Sequence, residues 1–571
     1  MDLVSTNQQQ QLIAQQSNEW TEEQQILLGQ KNILSEDVLR KYNLAGQLAQ
    51  TGLAYVETLL LESLNEDIDS NTNSGMSVGE ISRAGTRFLQ SLIQGISSIQ
   101  KKEEGEERGL AHPVRIEKAG FVDGVAPDHG DSFQGGFLSD NDIVKVVIGV
   151  HIDGYTAEVA HTVVVKDYAK YKASHEDKQQ EMPVQGRPAD AVCAAYLASE
   201  ALVALLGLTV SVNGTDSQAL LGGAGEVTGR HIRKLVETVA KAFKVQVVPG
   251  SRVRRIRRFL AGQDNIVVEQ DLDRKCVEWD EENQELEQEL EVSAAAASAV
   301  TEKSEEQKSI ESKYQAFIES RDMKDDGVRV LPGEVWLVDI QMAGGPQSPK
   351  GRIVRRTFQG YDESGIIPPP TIYSRDVSVK YDLRLANARA LLGQVNSNAS
   401  VFPFTLSQVV LTPSKSSAAE NSNAVKIIPA ELRAAKLGVK ELVNHHMFVP
   451  HPISVAVWEP ASLTISSSKG AKDDSLPVAR EMSTVVLVPA SVHPEGHGEV
   501  LRLTGGSVTG QPAYVHSKYQ IEDADILKLL ELVQDNRFGI RVRTVQPASE
   551  KEALAVVGAA NAPAQDDDAM E

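Results

Sequence analysis

The sequence predicts an α+β fold, and three observations carry that prediction. The stretch 141–165 (NDIVKVVIGVHIDGYTAEVAHTVVV) reads as a β-hairpin, with alternating β-branched residues on either side of Asp153-Gly154. A second strand signal, GEVWLVDIQM, occupies 333–342. Between and around these, apolar residues recur at helical spacing over 35–64, 188–206 and 225–244.

Bulk properties limit the function classes. A chain of 571 residues can bury a large core or several domains. Hydrophobic content of 41% and charged content of 24% are those of an ordinary globular protein. No stretch was expected to supply the roughly 20 apolar residues of a membrane helix, so no membrane partner is expected. The start, MDLVSTNQQQQLIAQQ, lacks the basic end and apolar run of a secretory signal. Two cysteines, Cys193 and Cys276, fit a reducing compartment, cytosol or nucleus. A net charge of −22 argues against uniform wrapping by nucleic acid, although one face can still be basic.

Taken in order, residues 1–22 are Gln-rich and expected to be disordered. Ser35 is a plausible N-cap for a helix running to about Leu64, and a further helix spans Val78 to Ile99. Folding the hairpin about Asp153-Gly154 pairs Ile152 with Tyr155, Gly149 with Glu158, Val147 with Ala160 and Val146 with His161. Side chains alternate faces, so Val147 and Glu158 share one face as diagonal neighbours. Pro188 suits a first helical turn. The helix that follows is apolar at Ala194, Leu197, Leu202 and Leu205. Ile232, Leu235, Val236, Val239 and Phe243 make a core-facing stripe.

SRVRRIRRF places Arg252, Arg254, Arg255, Arg257 and Arg258 within seven positions of an acidic chain. Two readings stand: contact with RNA phosphates, for which planar guanidinium forks are suited, or a basic stripe paired with nearby acids. Residues 270–328 are acidic and Ala-rich and read as a mobile or helical insertion. His445, His446 and His451 lie together in sequence but lack a Cys or carboxylate partner at zinc spacing. The closing strands are ISVAVWEP and AREMSTVVLVP, and the helix ADILKLLELV is expected to end the core. The tail NAPAQDDDAME is acidic and expected to be disordered.

G-x-H-x-D-G followed by A-H-T, KYNLAGQLAQTGLAYV, GLAHPVRIEKAGFVDGVAP and GEVWLVDI together resemble the methionine-aminopeptidase-like family. The closer likeness is to its proliferation-associated, peptidase-like branch. The resemblance implies a pita-bread (creatinase/aminopeptidase) fold. The core would run over 23–373, with the acidic insertion at 270–328, and close over 451–555. A type 2-like helical winged-helix insertion would fill 374–450, and 556–571 would form the tail.

Active members hold two divalent metal ions on two aspartates, a histidine and two glutamates. The resemblance puts those positions at Val147, Glu158, Arg252 or Val253, Asp339 and Met482, and the substrate histidine at Gly124. Glu481, next to Met482, points to the opposite face, and a slip by one residue would restore an acid at this position. Two acids are too few to hold a metal pair, and an arginine offers no lone pair. The expectation is therefore no catalytic residues, no metal and no cofactor, with Gly124 a plain loop glycine.

Chain size and the acidic insertion resemble the branch of peptidase-like factors, often labelled metalloproteases, that accompany the large (60S) ribosomal subunit precursor. That likeness implies a non-catalytic factor for assembly and nuclear export of the large subunit, shuttling between nucleus and cytoplasm. It would bind ribosomal proteins and rRNA near the peptide exit tunnel and engage Phe-Gly nucleoporins, with the emptied pocket open to an unstructured peptide. The alternatives are a surviving aminopeptidase, which would need its two metal ions, and a nucleic-acid-binding proliferation-associated regulator. The acidic ending DDDAME weighs against the last.

Overall fold

The computed structural model describes residue 26 and residues 29–561, apart from 65–75, 100–105, 167–182, 212–219, 222, 224, 260–274, 283–284, 287–304, 347–350, 361–366, 412–428, 461–475, 491–497, 506–514 and 536–539. The expectations for the Gln-rich start, the acidic tail, the middle of the acidic insertion and the loop TPSKSSAAENSNAVK lie outside the described residues.

Helix α1 (Glu36–Glu62) begins where Ser35 predicts: the Ser35 hydroxyl accepts from the Val38 amide, supplying one of the partners a helix start lacks. Helix α2 follows (Val78–Ile99), then β1 (Arg108–Lys118) and the short β2 (Phe121–Asp123). The hairpin is β3 (Ile143–Ile152) and β4 (Tyr155–Val164), in the register that the two-residue turn dictates. Asp153 and Gly154 both take positive φ, 53° and 80°, as a type I′ turn requires.

Helices α3 (Arg187–Gly207) and α4 (Gly229–Phe243) precede β5 (Gln246–Val247) and β6 (Arg252–Ile256). Then come β7 (Cys276–Glu278), α5 (Glu305–Gly327), β8 (Val335–Ala343) and β9 (Gly351–Thr357). Residues from β10 (Ile372–Arg375) to β12 (Phe448–His451) gather around a core of their own. They include α6 (Ala386–Asn398), β11 (Phe404–Thr405), α7 (Leu406–Val410) and α8 (Ala430–Asn444). The order β11-β10-β12 makes a small three-stranded sheet. The chain closes through β13 (Ser454–Pro460), β14 (Val478–Val488), β15 (Gly498–Arg502), α9 (Ala524–Asp535), β16 (Ile540–Thr544) and α10 (Glu550–Asn561).

Ten strands form the main sheet, in the order β1-β3-β4-β14-β8-β6-β7; β15 joins β14 and β16, and β5 joins β8. Helices α1 and α3 cover one face. Strands β2, β13 and β9 form a separate layer with its own apolar cluster.

Three elements differ from the sequence reading. Cys276–Glu278 lies inside the stretch read as an insertion, yet pairs with β6 as part of the main sheet, and Trp279 behind it is buried. The core does not end at α9, because β16 pairs in parallel with β15. The span Arg187–Val210 is long and apolar enough to cross a membrane by length and composition, contrary to expectation. It is 78% buried and packs on β8 and β14 as a core helix.

Candidate functional site

Direct partners across an antiparallel sheet share a face, so the ladder identifies which side chains converge. Arg115 opposes Val147, Val147 opposes Ala160, Ala160 opposes Met482, Met482 opposes Asp339, and Asp339 opposes Arg252. One row across six strands therefore carries four of the five positions the resemblance marks. Glu158 stands one step along, opposite Gly149 and on the same face. The register also settles the choice at the last strand. Met482 occupies the row; Glu481 opposes Ile340 and faces the helices.

The row is filled. Val147 is 0% exposed, and Met482 and Asp339 are 1% exposed. Arg480, two residues before Met482, lays its guanidinium across Asp339: Nε donates to Oδ1 and Nη2 to Oδ2, both at 2.8 Å. Arg252 Nε lies 3.9 Å from Oδ2. The expectation of an emptied pocket is thus corrected by a side chain that sequence reasoning passed over. The one available signal was a charged pair, Arg480-Glu481, in a strand with no other charge. Facing opposite ways, both needed buried partners.

Other buried polar groups line the same face. Lys145 opposes Glu117 and donates to the carbonyls of Ala119 and Val478 at 2.6 and 3.1 Å. Burial pushes Glu117 up to about 7, against the pull of Arg115 and Arg480. Burial likewise lowers Lys145 to about 7, against the pull of Glu117. His112 Nε2 lies 3.9 Å from Glu158 Oε2. Burial, with Arg115 nearby, lowers His112 to about 3, so the ring is neutral and the contact is no ion pair. Its Nδ1 faces the Pro113 carbonyl at 2.8 Å.

These residues do not fit a pair of divalent ions. A valine and a thioether stand at two of the five positions and an arginine at a third. Both oxygens of the retained aspartate already accept from a guanidinium. Among the described residues, no group of three or more His, Cys, Asp or Glu is placed to hold a metal. His445 stacks on Tyr381 with ring centroids 3.5 Å apart, whereas His451 Nε2 lies 2.6 Å from the Ser374 hydroxyl.

Gly124 has φ +87°, and a Cβ there would sit 2.7 Å from the Pro452 carbonyl oxygen. The loop needs glycine for its conformation and its close approach. Gly124→His should lower stability by about 2–4 kcal/mol through backbone strain plus the clash. Urea denaturation measures this, and a loss below about 0.5 kcal/mol would contradict the geometry.

The arginines of β6 and of the two positions after it are largely engaged by the fold. Arg255 Nη1 is 3.2 Å from Glu334, Arg258 Nη2 is 2.6 Å from Asp153 Oδ1, and Arg257 is 4% exposed. Arg258 also lies over the rings of Tyr155 and Phe259. Arg254 is half-buried on the strand.

On the helix-covered face, His161 Nδ1 meets Glu481 Oε2 at 3.0 Å, and the Thr162 amide donates to Oε1. Burial works against a charged imidazole here. Glu481, with Glu57 and Glu200 beyond it, outweighs burial and raises the His161 pKa. Glu57 is itself pushed up to about 7 by burial. A histidine with a raised folded pKa contributes stability that is full below its unfolded value, about 6.5, and fades as pH climbs through the folded value. Glu481→Gln should therefore cost more at about pH 5.5 than at about pH 9, read as paired melting temperatures. A pH-independent cost would contradict the charged pair.

Sheet, row and insertion together define a pita-bread, peptidase-like protein in which three of the five marked positions carry no metal-binding group. No family model matches the chain. It is 39% identical over 528 residues to "Probable metalloprotease ARX1" of Yarrowia lipolytica, spanning 91% of this chain and 95% of that protein. It is 33% identical to the Saccharomyces cerevisiae protein of the same name, spanning 93% and 96%. The chain belongs to the Arx1 family. The solved structure of a thermophilic Arx1 shares the fold, with a TM-score of 0.55 at 19% identity over 87% of this chain and 98% of that one.

Proposed function

We propose that the protein is a non-catalytic, peptidase-fold factor that accompanies the large ribosomal subunit precursor from nucleus to cytoplasm. Its partners in this reading are ribosomal proteins and rRNA near the exit tunnel, and Phe-Gly nucleoporins. The observation that carries the non-catalytic part is the Arg480 fork on Asp339 in line with Val147 and Met482. The ribosomal part is supported by the sequence resemblance. Isolation of the tagged full chain should recover large-subunit precursor particles, and their absence would refute this part. Arg254, half-buried on β6, is the position to reverse in testing the RNA contact. Arg254→Glu should weaken co-sedimentation with the particles, and a folded variant that co-sediments like the wild type would refute the RNA contact.

The name the relatives carry, probable metalloprotease, favours a second reading, a metallopeptidase. Stoichiometric manganese, cobalt or zinc in the purified protein, together with release of an amino-terminal residue from short peptides, would establish it and overturn the first.

A further inference from the structure

Asp339 is 1% exposed and Glu117 0% exposed, and two carboxylates at such depth require positive charge or a proton. Neither oxygen of Glu117 has a hydrogen-bond partner among the described residues, and the nearest cation, Arg480 Nη1, lies 3.8 Å from Oε2. Arg480 is therefore shared: a close fork on Asp339 and a longer contact with Glu117. We infer that Arg480 is a resident cation of this pocket, a guanidinium anchored in the sheet that neutralises Asp339 and, with Arg115, offsets Glu117, so that the two carboxylates are held without a divalent ion.

The geometry supports a fixed rather than a recruiting role. Arg480 is 5% exposed, and its own backbone amide is held in place, donating to the Thr162 hydroxyl at 2.8 Å. The fork occupies both Asp339 oxygens, and with Arg252 Nε 3.9 Å from Oδ2 the carboxylate already faces two positive charges, which disfavour a further cation there. Arg480 is a positioning residue here, holding β8 against β14 through Asp339. The inference rests on the non-catalytic reading of the pocket and adds the group that holds its carboxylates.

The test uses the full chain and its melting temperature. Arg480→Ala should melt well below the wild type. Millimolar guanidinium chloride should restore part of the loss in a saturable way, whereas sodium chloride at equal ionic strength should not. The paired variant Asp339→Leu with Arg480→Met, made together with Glu117→Gln so that no buried carboxylate loses its cation, should melt close to the wild type, since such replacements of buried pairs are often neutral. Where Arg480→Ala yields no folded protein, the paired variant decides. An Arg480→Ala protein that melts like the wild type would overturn the inference, as would a folded one that guanidinium does not rescue. So would a paired variant as unstable as the single one. All three would leave the non-catalytic reading standing. A rise in wild-type melting temperature on adding stoichiometric manganese, cobalt or zinc would overturn both.

Discussion

Val147→Asp, which returns a carboxylate to the first marked position, should destabilise the protein by about 3–5 kcal/mol near neutral pH. The site is fully buried, between Arg115 and Ala160 on the ladder and two residues from Lys145. Part of the cost is the lost valine, about 1.5–3 kcal/mol of apolar burial. The rest is desolvation of an acid, whose folded pKa must rise. The sign follows: an acid with a raised folded pKa is least costly when protonated in both states. The deficit should be smallest below about pH 4, the unfolded value, and grow as pH increases until the folded value is passed. Urea denaturation across that range reads it. A deficit that shrinks with rising pH would mean the new carboxylate had found a cation.

Arg233→Met should cost about 3–5 kcal/mol, because it leaves Asp325 buried without its partner. Arg233 Nη2 and Asp325 Oδ1 are 3.3 Å apart, its Nε meets Oδ2 at 2.5 Å, and its guanidinium lies over the Trp279 ring, 5.1 Å from the centroid. Nη2 also donates to the Glu278 carbonyl. One side chain on α4 thus ties the end of α5 to strand β7. The expected signature is protease cleavage within 305–327 at conditions where the wild type is intact, together with the lower denaturation midpoint. Cleavage elsewhere but not there would refute the tie.

The parts of the fold legible in the sequence were those fixed by local chemistry. Asp153-Gly154 admits one turn, and the turn sets the pairing of every residue from Ile143 to Val164. Ser35 marks a helix start by what its hydroxyl can accept. The strand Cys276–Glu278 was lost because three residues carry no periodicity, and its sheet position depends on a distant partner. IRVRT, now β16, alternates exposed arginines with half-buried residues, so it offered a weak apolar face. The candidate site divided the same way. Alternation placed Val147 and Glu158 on one face, and Met482 joined them only through the family resemblance. What fills the space between them is a long side chain reaching diagonally from Arg480, and reach across a sheet leaves no mark in spacing. The same holds for the arginines of β6, whose acids Glu334 and Asp153 are remote in sequence.

Strands β4 and β14 meet through a single ladder pair, Ala160 with Met482. Around it the strands are joined by hydroxyls: Thr162 bridges to the Arg480 backbone, and Thr484 receives the Glu158 amide and donates to its carbonyl. A ribosome making this chain finishes β4 hundreds of residues before β14 emerges. Throughout that interval the nascent hairpin shows a bare, sticky edge. The protein is consequently exposed to mispairing during its own synthesis, and its yield in cells should respond to chaperone supply more than its equilibrium stability would suggest.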